Sequence, residues 1–211
     1  MTCDASGITT RHFARSVSRA VSRLPNVRSV RLVGSRAGGR ATILSDWDFL
    51  VETSNLPATA AAISEGLSGL SPLASFWDPL SRHWNRVLIL PGPRKVDLLF
   101  GGVHPAEPPW IPTRAALPAI NMHFWDWIWW IASKKMAGKE QLVASELLRM
   151  HWYLLRPLGV ESSPRSVGAA VESYRLALRR AEKSWGAAVD AALESEILRG
   201  FRKYRIGPDG Q

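Results

Sequence analysis

Asp46 and Asp48 stand two residues apart in Leu44-Ser45-Asp46-Trp47-Asp48-Phe49-Leu50-Val51. On a β-strand, residues i and i+2 point to the same side, so an extended 46–51 segment sets two carboxylates next to each other. Adjacent carboxylates repel and are costly to bury, which a cation between them relieves. Mg2+ suits that place, because it takes a few carboxylates and then substrate phosphates. A third acid, Asp97, lies in Lys95-Val96-Asp97-Leu98-Leu99-Phe100, a second strand-like run. If that strand pairs beside 46–51, three carboxylates converge and can bridge two metal ions.

Gly34 and Ser35 lie upstream, where the run ending Leu32-Val33 meets a turn. Backbone N–H groups exposed at such a corner attract anions, and glycine allows close approach. The Ser35 hydroxyl adds a donor, and Arg36 is a further residue that can meet phosphate. A phosphate seat followed by a carboxylate pair fits metal-assisted phosphoryl-type transfer.

The elements that must position these residues follow from pattern. Arg11, Arg15, Arg19 and Arg23 recur every fourth residue, with Phe13, Val17, Ala20, Val21 and Leu24 opposite. This is an amphipathic helix with a basic outer face. Pro25-Asn26 breaks it, and residues 27–33 then read as a strand. Trp47 to Val51 is a second strand, and 57–70 a helix. Residues 73–84 read as a loop or irregular strand, 86–90 as a strand, Pro91-Gly92-Pro93 as a turn and 95–100 as its partner strand. Five prolines between Gly101 and Pro118 mark a linker. Beyond it four helices are expected: from an Asn121 cap to Ala137, 140–155, 165–185 and 187–204. The fold class expected is α+β, a mixed β-sheet domain over 1–104 followed by a helical bundle over 119–206. The tail, Gly207 to Gln211, is expected to fray.

Gly-Ser, Asp-x-Asp about a dozen residues on, and a later Asp on another strand together resemble the polymerase-β-like nucleotidyltransferase superfamily. The similarity covers roughly residues 25–100. It extends more loosely into the Trp-rich stretch Phe124 to Lys135 and Glu140, which looks like the helical domain of small aminoglycoside or lincosamide adenylyltransferases. The resemblance implies a two-domain cleft, ATP or another nucleoside triphosphate as donor, two Mg2+ ions and AMP-type transfer to a hydroxyl of a small acceptor. It carries the metal ligands onto Asp46, Asp48 and Asp97, and the phosphate seat onto Gly34 and Ser35. Asp97 is the first choice for steering the hydroxyl proton, with Glu140 or Glu146 of the helical half as alternatives. Lys134, Lys135 and Lys139 are open to a phosphate role, or only complement a helix end.

The totals set the frame. The 211 residues suffice for one large or two small domains, and 46% apolar with 21% charged is ordinary for a globular protein. No apolar run reaches the ~18 residues of a membrane span. Met1 to Ser22 lacks the apolar stretch of a secretory signal, and a single Cys3 forms no internal disulfide; a reducing, cytoplasmic setting is expected. Net charge is +9, and residues 1–40 hold eight arginines against one acid. That charge suits nucleotides, nucleic acid or solubility alone.

Trp125, Trp127, Trp129 and Trp130 are expected mainly in packing, with Asp126 either solvent-facing or at a ligand. His83, His104, His123 and His151 have no metal-ligand spacing. The leading expectation is an enzyme modifying a small hydroxylated molecule such as an antibiotic. Competing readings are an antitoxin-type enzyme that nucleotidylates a partner protein, and a non-catalytic nucleic-acid-binding relative. Nucleic acid and membrane are not the expected partners, and no feature sets an oligomeric state.

Overall fold

The computed structural model describes residues 10–92 and 94–206. Cys3, Pro93 and the tail from Gly207 lie outside them. The chain divides into two compact units, Met1–Ala106 and Glu107–Gln211.

The first unit opens with α1, Thr10–Ser22. Its arginines 11, 15 and 19 are exposed, as is Arg23 just past its end, while Phe13, Val17, Val21 and the following Leu24 are buried, so the four-residue spacing separates the two faces as the sequence requires. Asn26, at φ 64°, turns the chain into β1, Val27–Leu32. A one-turn helix α2, Gly34–Ala37, leads to β2, Trp47–Thr53. Helix α3, Leu56–Gly66, follows; the Asn55 side chain accepts from Ala58 N and caps it. It stops before the expected residue 70, and a short 3₁₀ turn covers Ser68–Leu70. The segment left as loop or strand holds β3, Ala74–Trp77. β4 is His83–Leu90 and β5 is Arg94–Val103, each longer than expected. β5 runs through Gly101-Gly102 because this pair still sits opposite the start of β4, where His83 pairs with Val103.

The five strands form one sheet in the order β1-β2-β5-β4-β3. β2 and β5 run parallel and the other neighbours antiparallel. Parallel neighbours need a long crossover, and α3 with the β3–β4 hairpin supplies it. One sheet face packs under α1 through Trp47, Phe49, Val51, Leu88, Leu90, Val96, Leu98 and Phe100. The alternate residues of the same strands, Asp48 and Asp97 among them, are thereby directed to the opposite face.

The second unit contains α4 (Leu117–Met136), α5 (Glu140–Met150), α6 (Val167–Trp185) and α7 (Ala192–Lys203). A π-helical turn, His151–Leu155, extends α5. α4 is the centre, touching α5, α6 and α7. It is buried nearly all round, which accounts for its lack of an apolar stripe. Trp125, Trp127 and Trp129 are in this core; Trp129 stacks on Phe201, and Phe124 stacks on Tyr174 at 3.7 Å. Asp126 is buried, not solvent-facing.

Asn121 does not cap α4. The helix begins one turn earlier with Pro118 in its first turn, where a missing N–H costs nothing and the fixed φ suits a helix. Asn121 is instead buried, its Oδ1 accepting from Trp125 Nε1 at 3.1 Å and from Tyr174 OH at 2.8 Å. No described helix is long and apolar enough to cross a membrane.

Candidate metal centre

The register of β2 against β5 builds the site. Asp48 pairs directly with Asp97, so the two carboxylates sit side by side on the face away from α1. Asp46 immediately precedes β2 and points the same way two residues earlier. Each of the three offers a carboxylate oxygen, and these atoms lie within 4.8 Å of one another. At that separation each pair of anions repels by about 1–4 kcal/mol, between the water and near-surface limits. Asp46 and Asp97 are each only 7% exposed, so water screens them poorly. Asp46 Oδ1 is buried and accepts no hydrogen bond among the described residues. An all-oxygen, clustered and partly unsatisfied donor set fits a hard divalent cation.

Gly34 is required beside this cluster. Its φ is 68°, and a Cβ there would stand 2.1 Å from Asp48 Oδ2. Backbone and carboxylate are packed together, with no room for a side chain between them. Val33 N donates to Asp48 O at 2.8 Å and fixes the corner against β2. Ser35 follows at the start of α2 and is partly exposed.

Arg36 turns toward the polypeptide. Its Nε donates to Ser45 O at 3.0 Å and Asp46 O at 3.1 Å, and its guanidinium lies 4.0 Å over the Trp47 ring. These contacts hold the turn that presents Asp46. Ser45 Oγ accepts from Thr42 N in the same turn. Burial lowers the Arg36 pKa from its ordinary value, while Asp46 and Asp48 pull it back up.

Sequence reasoning passed over Lys95. Its Nζ lies 3.7 Å from Asp97 Oδ2, and the side chain is 6% exposed. The signal was present in Lys95-Val96-Asp97, since alternation along a strand puts 95 and 97 on one face. A lysine opening a strand ordinarily reads as a solvated edge, so the signal is easily missed.

Lys134, Lys135 and Lys139 belong to the second unit, around the C-terminal end of α4. Lys134 Nζ lies 4.7 Å over the Trp130 ring. Glu140 opens α5 and is exposed. Glu146 accepts from Trp127 Nε1 at 2.9 Å and lies 3.7 Å from Arg149. The histidines contribute to no metal cluster: among the described residues the only His/Cys/Asp/Glu group with metal-ligand geometry is the aspartate trio.

No protein-family model and no curated protein matches the chain. Several solved structures are similar in chain path. One is the polymerase core of TRAMP, an RNA surveillance complex, at 15% identity and TM-score 0.40, covering 83% of this chain and 59% of that one. Another is a cytoplasmic RNA terminal U-transferase at 16% identity and TM-score 0.33, covering 59% and 38%. A third is an aminoglycoside 6-adenyltransferase from Bacillus subtilis at 10% identity and TM-score 0.31, covering 94% and 97%. The chain thus spans about three fifths of the first of these structures and under two fifths of the second.

Proposed function

We propose that the chain transfers a nucleoside monophosphate, AMP from ATP in the first instance, to a hydroxyl of a small acceptor such as an antibiotic. One observation carries this reading: Asp46, Asp48 and Asp97 share one sheet face and one 4.8 Å cluster, with the Gly34 backbone packed against Asp48. Such a carboxylate set could hold a divalent cation beside the Gly34–Ser35 corner, which supports the reading.

Bound there, Mg2+ would neutralise the triphosphate and lower the pKa of the acceptor hydroxyl. The chain's own groups do the rest. Gly34 and Ser35 receive the outer phosphates through backbone N–H and hydroxyl donors. Asp97 steers the hydroxyl proton. The acceptor oxygen forms a bond to the α-phosphorus. The bond from that phosphorus to the bridging oxygen breaks, and pyrophosphate leaves with the electron pair. Lys95 supports Asp97 by balancing part of the charge of three neighbouring anions.

The direct test incubates the protein with labelled ATP and Mg2+ against a panel of aminoglycoside and lincosamide antibiotics. Mass spectrometry then looks for an acceptor heavier by one nucleotidyl group. The adduct should appear with the unchanged protein and vanish with Asp48→Asn. Equal yield from both proteins refutes the metal role.

A second reading takes a polyanion as acceptor. The exposed arginines 11, 15 and 19 of α1, with Arg23 just past its end, favour it. Mass gain only on RNA would select it, whereas mass gain only on a co-purified protein would select the antitoxin-type enzyme that nucleotidylates a partner.

A further inference from the structure

The sheet face that carries the carboxylates continues past Asp97 onto β4, where it holds one buried amide. Val87 pairs with Asp97, and Asn85 pairs with Leu99. By alternation Asn85, Val87 and Leu99 share the face of Asp48 and Asp97. Asn85 is 7% exposed, and its Oδ1 is buried with no hydrogen-bond partner among the described residues. A buried amide oxygen without a donor is costly, and native proteins keep few of them. The ladder is irregular beside it: the register shifts between His83 and Asn85, opposite a stretch containing Gly102 at φ 98°. Such irregularities re-aim a side chain, and they concentrate near active sites.

The geometry of transfer says which substrate lies there. In-line displacement puts the attacking and leaving oxygens on opposite sides of phosphorus. With pyrophosphate at Gly34–Ser35, on the β1–β2 side of the trio, the acceptor approaches from the other flank of Asp97. That flank is β4.

We propose that Asn85 is an acceptor-binding residue, its amide oxygen accepting a hydrogen bond from a second hydroxyl of a neutral, polyhydroxylated acceptor lying beside Leu99. This rests on the nucleotidyl-transfer reading. The amide between Val87 and Leu99 carries no charge of its own, and the carboxylates of Asp48 and Asp97 on the same face would be committed to the metal, which favours a sugar-like neutral partner over a polycation.

The test uses the full chain with Mg2+ and α,β-methylene-ATP, and methyl glycosides of glucose, galactose and mannose as acceptor probes. Calorimetry reads the nucleotide analogue, saturation-transfer NMR reads the glycosides, and thermal denaturation reads the fold. The unchanged protein should bind the analogue and at least one glycoside. Asn85→Leu should keep analogue affinity, weaken the glycoside about tenfold, and melt at the same temperature or higher, because an unpaired polar atom has been removed. Asn85→Ser, smaller and safer to fold, should also weaken the glycoside. Equal glycoside signals from all three proteins overturn the proposal, as does no glycoside signal from an unchanged protein that binds the analogue. So does a lower melting temperature in both variants with glycoside affinity intact, which is the mark of a purely structural amide. Failure of the unchanged protein to bind the analogue is a different result: it removes the nucleotidyl-transfer reading itself.

Discussion

Gly34 and Asp48 are separated by less than a side chain's width, and this sets the sharpest expectation for a single residue. In Gly34→Ala the new Cβ would fall 2.1 Å from Asp48 Oδ2. The backbone must also hold alanine at φ 68°, at about 1–2 kcal/mol. Asp48 is then pushed from its place beside Asp97. Nucleotidyl transfer should drop about a hundredfold or more while far-UV circular dichroism stays unchanged; full activity would mean that Asp48 is not needed where it stands. Lys95 makes a second case. Lys95→Met removes the cation beside Asp97 and should destabilise the metal-free protein by about 3 kcal/mol. It also removes a competitor for the metal. Added Mg2+ should therefore raise the melting temperature more in the variant than in the unchanged protein, and a smaller rise would contradict the charge-balance role. The convergence of the carboxylates was readable in the sequence because Asp46 and Asp48, two apart, were joined by a third acid, Asp97, in another strand-like run. Lys95 was overlooked because a lysine opening a strand reads as a solvated edge, and Asn85 because it matters through its cross-strand neighbours, whose register is not written in local composition.

At the scale of the element, the turn before β2 depends on one arginine. Arg36 bonds the carbonyls of Ser45 and Asp46 and covers Trp47, so Arg36→Met should loosen the presentation of Asp46. Divalent-metal affinity should weaken more than tenfold, with a modest loss of melting temperature; unchanged metal affinity would leave Arg36 only a packing role. In the helical unit, Tyr174 joins α6 to α4 through Asn121. Burial raises its pKa well above 10, and Glu194 and Glu182 add to the shift. A phenol whose folded pKa exceeds its unfolded value contributes stability fully below about pH 10 and loses it as pH rises further. Tyr174→Phe should cost about 1 kcal/mol at pH 8 from the lost hydrogen bond. The difference between the two proteins in urea denaturation should shrink by pH 11, and a constant difference would contradict the burial effect. Helix type and approximate span were legible from periodicity and breakers. The start of α4 was not, because Asn121 has the chemistry of a cap and only the tertiary fold shows that it bonds Trp125 and Tyr174.

At the scale of the molecule, the order of elements was legible: α1, a mixed sheet, a proline-marked change of character, then four helices. β3 was left open between loop and irregular strand, since Ser75-Phe76-Trp77 has no clear alternation and becomes a strand by pairing with β4. Charge is also a whole-molecule property, with +9 overall and a basic face on α1. If that face only keeps the protein in solution, transfer to a small acceptor should change little between 50 and 200 mM salt. A polyanionic acceptor would instead lose about a thousandfold or more in affinity for six or more phosphate contacts. The account as a whole stands on a divalent cation held by Asp46, Asp48 and Asp97, and Mn2+ binding followed by electron paramagnetic resonance tests that most directly. The unchanged protein and Glu52→Gln, an exposed acid elsewhere on β2, should bind Mn2+ alike, and Asp97→Asn should lose it. Undiminished Mn2+ binding in Asp97→Asn, or none in the unchanged protein with ATP present, would contradict the account.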